Sequence, residues 1–318
     1  MTMRLWILFL ISLVGVRAEP EKFTFVRPIM GTRFQIICHA GDRATAKAAA
    51  DRAFAQAEKI NAIASDYLPE SELSQLRSIE PGKPIPLSPE LHALFEHAMA
   101  LAKFTDGAFD PTLGPLSTLW RATRDEKKLP DPQKLAAAKR ATGWRHVVLD
   151  SAEPSIILKR PNMAFDLGGV GKGYAADLML KSLVEDGLPR SMIAAGGDIR
   201  LGVAPPERKG WNVALRTFDR KQTDDIRVLA HAAVSTSGDL YQSVEIDGVT
   251  YSHILDSSTG LGLQKRIAAT VIAEQAKFSD PLATAACVLD NPQTVISRHP
   301  MVREVIIHRP DEPQPPAK

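Results

Sequence analysis

A lysine ringed by four glycines is the densest chemical signal in this chain: Asp166-Leu-Gly-Gly-Val-Gly-Lys-Gly-Tyr-Ala-Ala-Asp177. Glycine lets backbone N–H groups approach an anion, a helix opening just afterwards adds the positive end of its dipole, and Lys172 supplies a cation. The run therefore has the composition of a phosphate cradle, although it also suits a tight strand-to-helix turn with an exposed lysine. Two common phosphate signatures do not fit it. A Walker A loop needs Ser or Thr after the lysine to hold magnesium, and the chain has Gly173 there. A dinucleotide fingerprint anchored at Gly169 and Gly171 needs a third glycine where Tyr174 stands.

Asp280 and Thr284 form a second candidate, four residues apart on one face of a helix predicted over 280–289. A carboxylate and a hydroxyl are hard oxygen ligands suited to magnesium. The alternative is that Asp280 caps the helix, Pro281 takes its first position and Thr284 bonds back to a carbonyl. His253, at the end of a strand, suits a general base or an ordinary hydrogen-bonded imidazole, and seven other histidines share the chain. Ala195-Gly-Gly-Asp198 and Ser235-Thr-Ser-Gly-Asp239 read as polar glycine turns, either hairpin corners or parts of a cleft wall. No G-x-S-x-G elbow surrounds a serine, which disfavours a serine hydrolase.

The elements that must position these residues follow from periodicity and punctuation. Residues 23–40 read as extended with an interruption near Pro28 to Gly31, and 44–63 as an alanine-rich helix. A loop and short helix span 64–74, and a helix capped by Ser88, with Pro89 at its first position, runs to about Thr105. Asp106 to Thr112 breaks it, and a polar, lysine-rich connection covers 122–134. Strands are predicted over 146–149, 155–158 and 163–166, then a helix over 173–185. Further strands are expected over 191–195, 211–216, 228–235, 249–255, 267–273 and 302–308. Helices cluster in the first half and strands in the second, which argues for an α+β fold rather than a doubly wound parallel sheet.

The 318 residues, 44% of them hydrophobic, can bury a large core, and the net charge of +2 leaves no excess for a polyanion. No Lys/Arg block is interleaved with aromatics, which argues against a nucleic-acid partner. Arg4, an apolar run from Leu5 to Val16, and Ala18 before Glu19 fit a Sec-type signal peptide over 1–18, so the mature protein is expected in the periplasm. An uncleaved membrane anchor is the alternative. Cys38 and Cys287, each in an apolar stretch, read as two buried thiols, and residues 309–318 as a disordered tail.

In order along the chain stand Met30-Gly-Thr32, then Tyr67 with Ser71-Glu-Leu-Ser74, Gly107-Ala-Phe-Asp110, Asp166 to Asp177, and Ala195-Gly-Gly-Asp198. Ser235-Thr-Ser-Gly238, His253-Ile-Leu-Asp256 with Thr259-Gly260, and Asp280 to Thr284 complete the set. Together these pieces resemble the ApbE-type FAD:protein FMN transferases over roughly residues 24–308. The resemblance implies an α+β, T-fold-type single large domain over 19–308, with mixed sheets and helices packed on one side. It implies FAD as a substrate, contacted by Met30, Tyr67, Ala108, Phe109, Asp110, Asp166, Lys172 and the backbone near Leu255. It also implies Mg2+ held by the Gly169 carbonyl, Asp280 and Thr284, and His253 as the base.

The implied reaction moves FMN from FAD to a Thr or Ser hydroxyl through a phosphoester bond and releases AMP, with Lys172 and Asp280 serving catalysis. The acceptor is a partner redox protein or membrane-complex subunit carrying a Thr/Ser flavinylation motif. The same site acting on water would be an FAD pyrophosphatase, and one that does neither would be a flavin-storage protein. The chain departs from the family pattern in three places: Gly169 and Gly171, where many relatives have alanine or another small residue, Pro281 after Asp280, and Ser257-Ser258, where Pro-Arg is usual.

Overall fold

Alternating burial along short apolar runs builds the frame. The computed structural model describes residues 19–215, 225–239 and 243–310; the expected signal segment and residues 311–318 of the expected tail lie outside them. The N-terminal part comprises β1 (Glu21–Ile29), β2 (Thr32–Ala40), α1 (Arg43–Ala64), α2 (Glu72–Gln75), β3 (Pro84–Pro86) and α3 (Pro89–Phe104). Then come α4 (Gly114–Glu126), α5 (Pro132–Arg140), β4 (Val147–Asp150), β5 (Ser155–Leu158) and α6 (Gly168–Glu185). Strands dominate afterwards: β6 (Ser191–Ala195), β7 (Asp198–Leu201), β8 (Trp211–Leu215), β9 (Asp225–Leu229) and β10 (Ala232–Gly238). The chain closes with β11 (Ser243–Ile246), β12 (Val249–Ser252), β13 (Leu255–Asp256), β14 (Leu261–Gly262), β15 (Ala268–Ala273), α7 (Ala276–Val288), α8 (Pro292–Ile296) and β16 (Val302–His308).

Seven strands form one antiparallel sheet in the order β1-β2-β6-β7-β10-β15-β16. Because side chains alternate across a strand, most strands of the sheet feed two cores. Ile193, Ala233, Val271 and Ala273 join the main core with residues of α1, α3, α6 and α7. Their neighbours Met192, Val234 and Ile272 face the other way, into a smaller core closed by Trp211, Val213 and Leu215 of the β8–β9 ribbon. The mixed helix-and-sheet fold thus matches the α+β expectation, with its major helices on one face of the sheet. Cys38 and Cys287 are buried free thiols, and burial pushes them up to about 11 and about 12.

Several local expectations need correction. Residues 163–166 form no strand, although Met163, Ala164 and Phe165 are buried and the Asp166 N–H bonds to the Pro111 carbonyl. The expected strand over 228–235 is two strands, broken at His231, whose φ of 49° interrupts the extended backbone. The strand expected over 249–255 breaks at His253 into β12 and β13. Most of the polar connection over 122–134 is helical, in the end of α4 and the start of α5, and each of these helices has a proline in its first turn.

The two helices that matter most start earlier than their sequences suggest. α6 begins at Gly168 rather than 173, so the glycine run is the first turns of the helix and not a loop before it. α7 begins at Ala276 rather than Asp280, which puts Pro281 inside the helix. A proline there cannot donate to the carbonyl four residues back and crowds it. That carbonyl, on Lys277, is taken instead by His97 Nε2 of α3 at 2.7 Å. Burial lowers His97 to about 4, so the ring is neutral and its N–H serves as donor.

Candidate active site

Close contact between α6 and α7 sets the scale of the site. A Cβ added at Gly173 would stand 2.2 Å from the Ala276 carbonyl oxygen and 2.9 Å from Asp280 Cβ. Only glycine permits this approach, which explains why no Ser or Thr follows Lys172. Across the crossing, Lys172 Nζ lies 3.3 Å from Asp280 Oδ2 and 3.1 Å from Asp198 Oδ2, and also donates to the Gly168 carbonyl at 3.2 Å. The Gly173 N–H donates to Asp280 Oδ2 at 3.0 Å.

Asp198 and Asp280 are each only 3% exposed. Burial, with Asp198 beside it, pushes Asp280 up to about 7, against the pull of Lys172 and the Gly173 N–H. Burial opposes the Lys172 charge as well, but Asp198 and Asp280 outweigh it and hold the ammonium above its ordinary value. Two carboxylates against one ammonium leave the cluster one negative charge when all are ionised.

Strand β10 supplies hydroxyls to the same corner. Ser235 Oγ bonds Ser279 Oγ at 2.8 Å and Ser237 Oγ bonds Thr284 Oγ1 at 3.0 Å, both toward α7. Thr236, between them, bonds Thr270 of β15 at 2.8 Å. The Ser235-Thr-Ser run is therefore strand and cleft wall rather than a turn. Ala195-Gly-Gly-Asp198 is both: Gly196, at φ 67°, makes the β6–β7 corner, and Gly197 and Asp198 face the cavity.

That cavity has a volume of about 500 Å³. Another wall is α4, where Ser117, Trp120, Arg121 and Arg124 follow helical spacing along one face, with Leu113 just before the helix. Arg121 bridges Asp66 at 2.6 Å and Asp166 at 3.2 Å, and its guanidinium lies 4.1 Å from the centroid of the Tyr67 ring. Burial and the nearby Asp166 raise Asp66, while Arg121 pulls it down. Tyr67 is 72% exposed, with Arg121 packed on its ring. Trp120 Nε1 donates to the Ser252 carbonyl at 3.1 Å, joining α4 to the segment that carries His253 and Leu255.

The cavity lining includes Tyr67, Ala108, Phe109, Asp110, Asp166, Gly169, Lys172, His253, Leu255, Asp280 and Thr284, every candidate from the sequence except Met30. Met30 occupies the β1–β2 turn with φ 51°, followed by Gly31 at 67°, and packs on the main core. This turn lies beside the β6–β7 corner, where the Gly196 N–H donates to the Arg33 carbonyl at 3.2 Å. Asp110 is on the wall, but its carboxylate is engaged: Oδ1 accepts from Thr112 N and Oγ1, and Oδ2 from Trp144 N. Asp280 is not a helix cap, because α7 starts a turn earlier.

Three site residues escape the sequence reading: Asp198 as a charged partner of Lys172, and Asp66 and Arg121 as a brace for Tyr67. Asp198 carried a signal in its glycine turn. Asp66 and Arg121 carried none, since each becomes informative only when paired with the other across 55 residues.

Comparison with known proteins places this arrangement. Residues 30–306 match the model of the ApbE family. A protein of Vibrio cholerae named FAD:protein FMN transferase is 30% identical over 299 residues, covering 90% of this chain and 88% of its own. One of Chlamydia trachomatis with the same name is 32% identical over 290 residues, covering 90% and 86%. Among solved structures, the flavin transferase ApbE from Vibrio cholerae superposes with a TM-score of 0.79 at 27% identity, covering 91% of this chain and 93% of its own. The ApbE protein from Thermotoga maritima gives 0.81 at 27% identity, covering 90% and 94%.

Proposed function

The chain belongs to the ApbE family, and we propose on that footing that it is an FAD:protein FMN transferase acting on a Thr or Ser hydroxyl of a partner redox protein or membrane-complex subunit. The observation that carries this reading is a single cavity with two unlike walls: a buried Lys172–Asp198–Asp280 cluster beside Thr284, and an aromatic-and-arginine face on α4. The acceptor oxygen forms a bond to the FMN-side phosphorus of FAD, the pyrophosphate P–O bond breaks, and AMP leaves. FAD is consumed as a substrate. His253, on the cavity wall, is the candidate to take the hydroxyl proton. Tyr67, with Arg121 packed on its ring, offers a platform for a planar ring, and Lys172 stands ready to meet phosphate charge.

The residues also fit Mg2+. Asp280 and Thr284 project one turn apart from α7. A Cβ on Gly169 would lie 3.9 Å from Thr284 Oγ1, so the Gly169 backbone runs beside that hydroxyl. No group of three or more His, Cys, Asp or Glu suited to a metal occurs among the described residues. Few protein ligands, all of them hard oxygens, suit an ion that keeps several waters and shares phosphate oxygens. Asp280, Thr284 and the Gly169 carbonyl would hold Mg2+, which when bound offsets charge on the pyrophosphate. With both carboxylates ionised, the net negative charge of the lysine–carboxylate cluster favours a cation there.

The basic start and apolar run before Ala18 support export to the periplasm, which fractionation of a tagged full-length chain would test. For the reaction itself, the protein is incubated with FAD, Mg2+ and acceptor domains, and the products are read as in-gel flavin fluorescence, free FMN and AMP. A fluorescent acceptor band that is lost in Asp280→Ala supports the transferase. Free FMN without a band points to a pyrophosphatase, and intact bound FAD to a storage protein; either overturns it.

A further inference from the structure

Beyond the charged cluster lies a second, part-buried ion pair that uses the same three elements. Lys172, Asp198 and Asp280 come from α6, β7 and α7. Five residues further along α6 is Asp177, and two further along β7, on the same strand face, is Arg200. One turn before Asp280 are the first N–H groups of α7. Asp177 joins all of these: Oδ1 accepts from Arg200 Nε at 2.6 Å and from Ala276 N at 3.1 Å, and Oδ2 from Lys277 N at 2.8 Å. Arg200 Nη1 continues to the carbonyls of Leu201 and Ala232, the latter on β10. Both side chains are 15% exposed.

This pair does work that α7 cannot do for itself. The first N–H groups of a helix need acceptors, and the cap residue Gln275 makes no side-chain cap bond. Asp177 supplies the missing acceptor from a neighbouring helix, its charge also meeting the positive end of the α7 dipole. On α6, Gly173 lies between Lys172 and Asp177; on α7, Asp177 holds the first two N–H groups and Lys172 and the Gly173 N–H hold Asp280 one turn later, so α7 is tied to α6 at two points along its axis. A shift of α7 against α6 would carry Asp280 and Thr284 away from Lys172 and Gly169.

We propose that Asp177 and Arg200 are positioning residues that set the mutual placement of Lys172, Asp198 and Asp280, and thereby the affinity of the site for its divalent cation. This rests on the Mg2+ reading given above. Neither residue touches the reacting groups; both act through the elements that carry them, as outer residues do around metal ligands.

The test uses the folded chain without FAD and follows the Mg2+ dependence of its thermal midpoint, together with the Mg2+ dependence of turnover. Asp177→Asn and Arg200→Lys, which keeps the charge but not the planar fork, are compared with wild type and with Leu94→Ala, a core substitution in α3. Half-saturating Mg2+ is expected to rise about tenfold or more in both variants, with turnover largely restored at high Mg2+. It should stay at the wild-type value in Leu94→Ala even though its midpoint falls. Variants that lose stability yet keep wild-type half-saturation overturn the positioning role. A wild type that responds to Mg2+ in neither measurement overturns the metal reading itself, and the proposal with it.

Discussion

The two walls of the cavity are built to different tolerances. On one side α6, β7 and α7 meet so closely that a single methyl at Gly173 would collide with backbone, and the charges they carry are buried. On the other side α4 offers a half-open face, where Arg121 holds an exposed tyrosine ring by stacking and ion pairs. The difference matches the two tasks of the proposed reaction. Charge that develops on moving phosphate oxygens is stabilised by groups fixed in advance, and small displacements are expensive. A planar ring needs only area and a roughly parallel partner.

The largest effect is expected on the tight wall. Asp280→Ala should lower flavinylation turnover by about 10²–10³-fold, measured by acceptor fluorescence, as when one preorganised electrostatic group is removed. Next, Gly173→Ala should lower stability by about 2–3 kcal/mol, read from chemical unfolding, because the opposing atom is a backbone oxygen that cannot rotate away. A stable Gly173→Ala protein would show that this wall is looser than its geometry.

Acid should loosen the same wall. His97 stays neutral in the native state to about 4, while the unfolded ring takes its proton near 6.5. Between those values the unfolded state binds more protons, so this contribution is complete above about pH 6.5 and is lost as pH falls toward 4, by up to about 3 kcal/mol. His97→Phe should flatten that acid limb in a pH series of unfolding curves. The smallest effect belongs to the open wall: Tyr67→Ala should raise KM for FAD about five- to tenfold, equivalent to about 1 kcal/mol, with stability almost unchanged. A collapse of kcat instead would mean that the α4 face takes part in the chemistry and not only in binding.

Much of the tight wall is legible in the sequence because it is written in short runs. Lys172 among glycines, Asp280 with Thr284, and the Ser235-Thr-Ser strand each show themselves locally. Their elements are harder to read. Glycine is a poor helix former, so residues 168–172 look like loop until the α6–α7 crossing stabilises them as helix. Pro281 looks like a helix start until His97 is seen taking the carbonyl that the proline leaves unbonded. The open wall is nearly invisible to sequence, because α4 is short and polar and its function depends on pairs from distant segments, Arg121 with Asp66 and Tyr67. Met30 shows the converse: its turn is plain in the sequence, yet its side chain packs on the core and is absent from the cavity lining.

Lys172 and Asp280 stand 108 residues apart along the chain. The phosphate-facing lysine and the oxygen ligands for the cation are therefore brought together by tertiary closure alone, and no fragment that ends before α7 contains both. A chain emerging from its N-terminus holds the glycine helix long before its counterpart exists. The site is therefore complete only in a chain that extends through α7, and a cut between α6 and α7 would leave its lysine and its side-chain oxygen ligands on separate pieces.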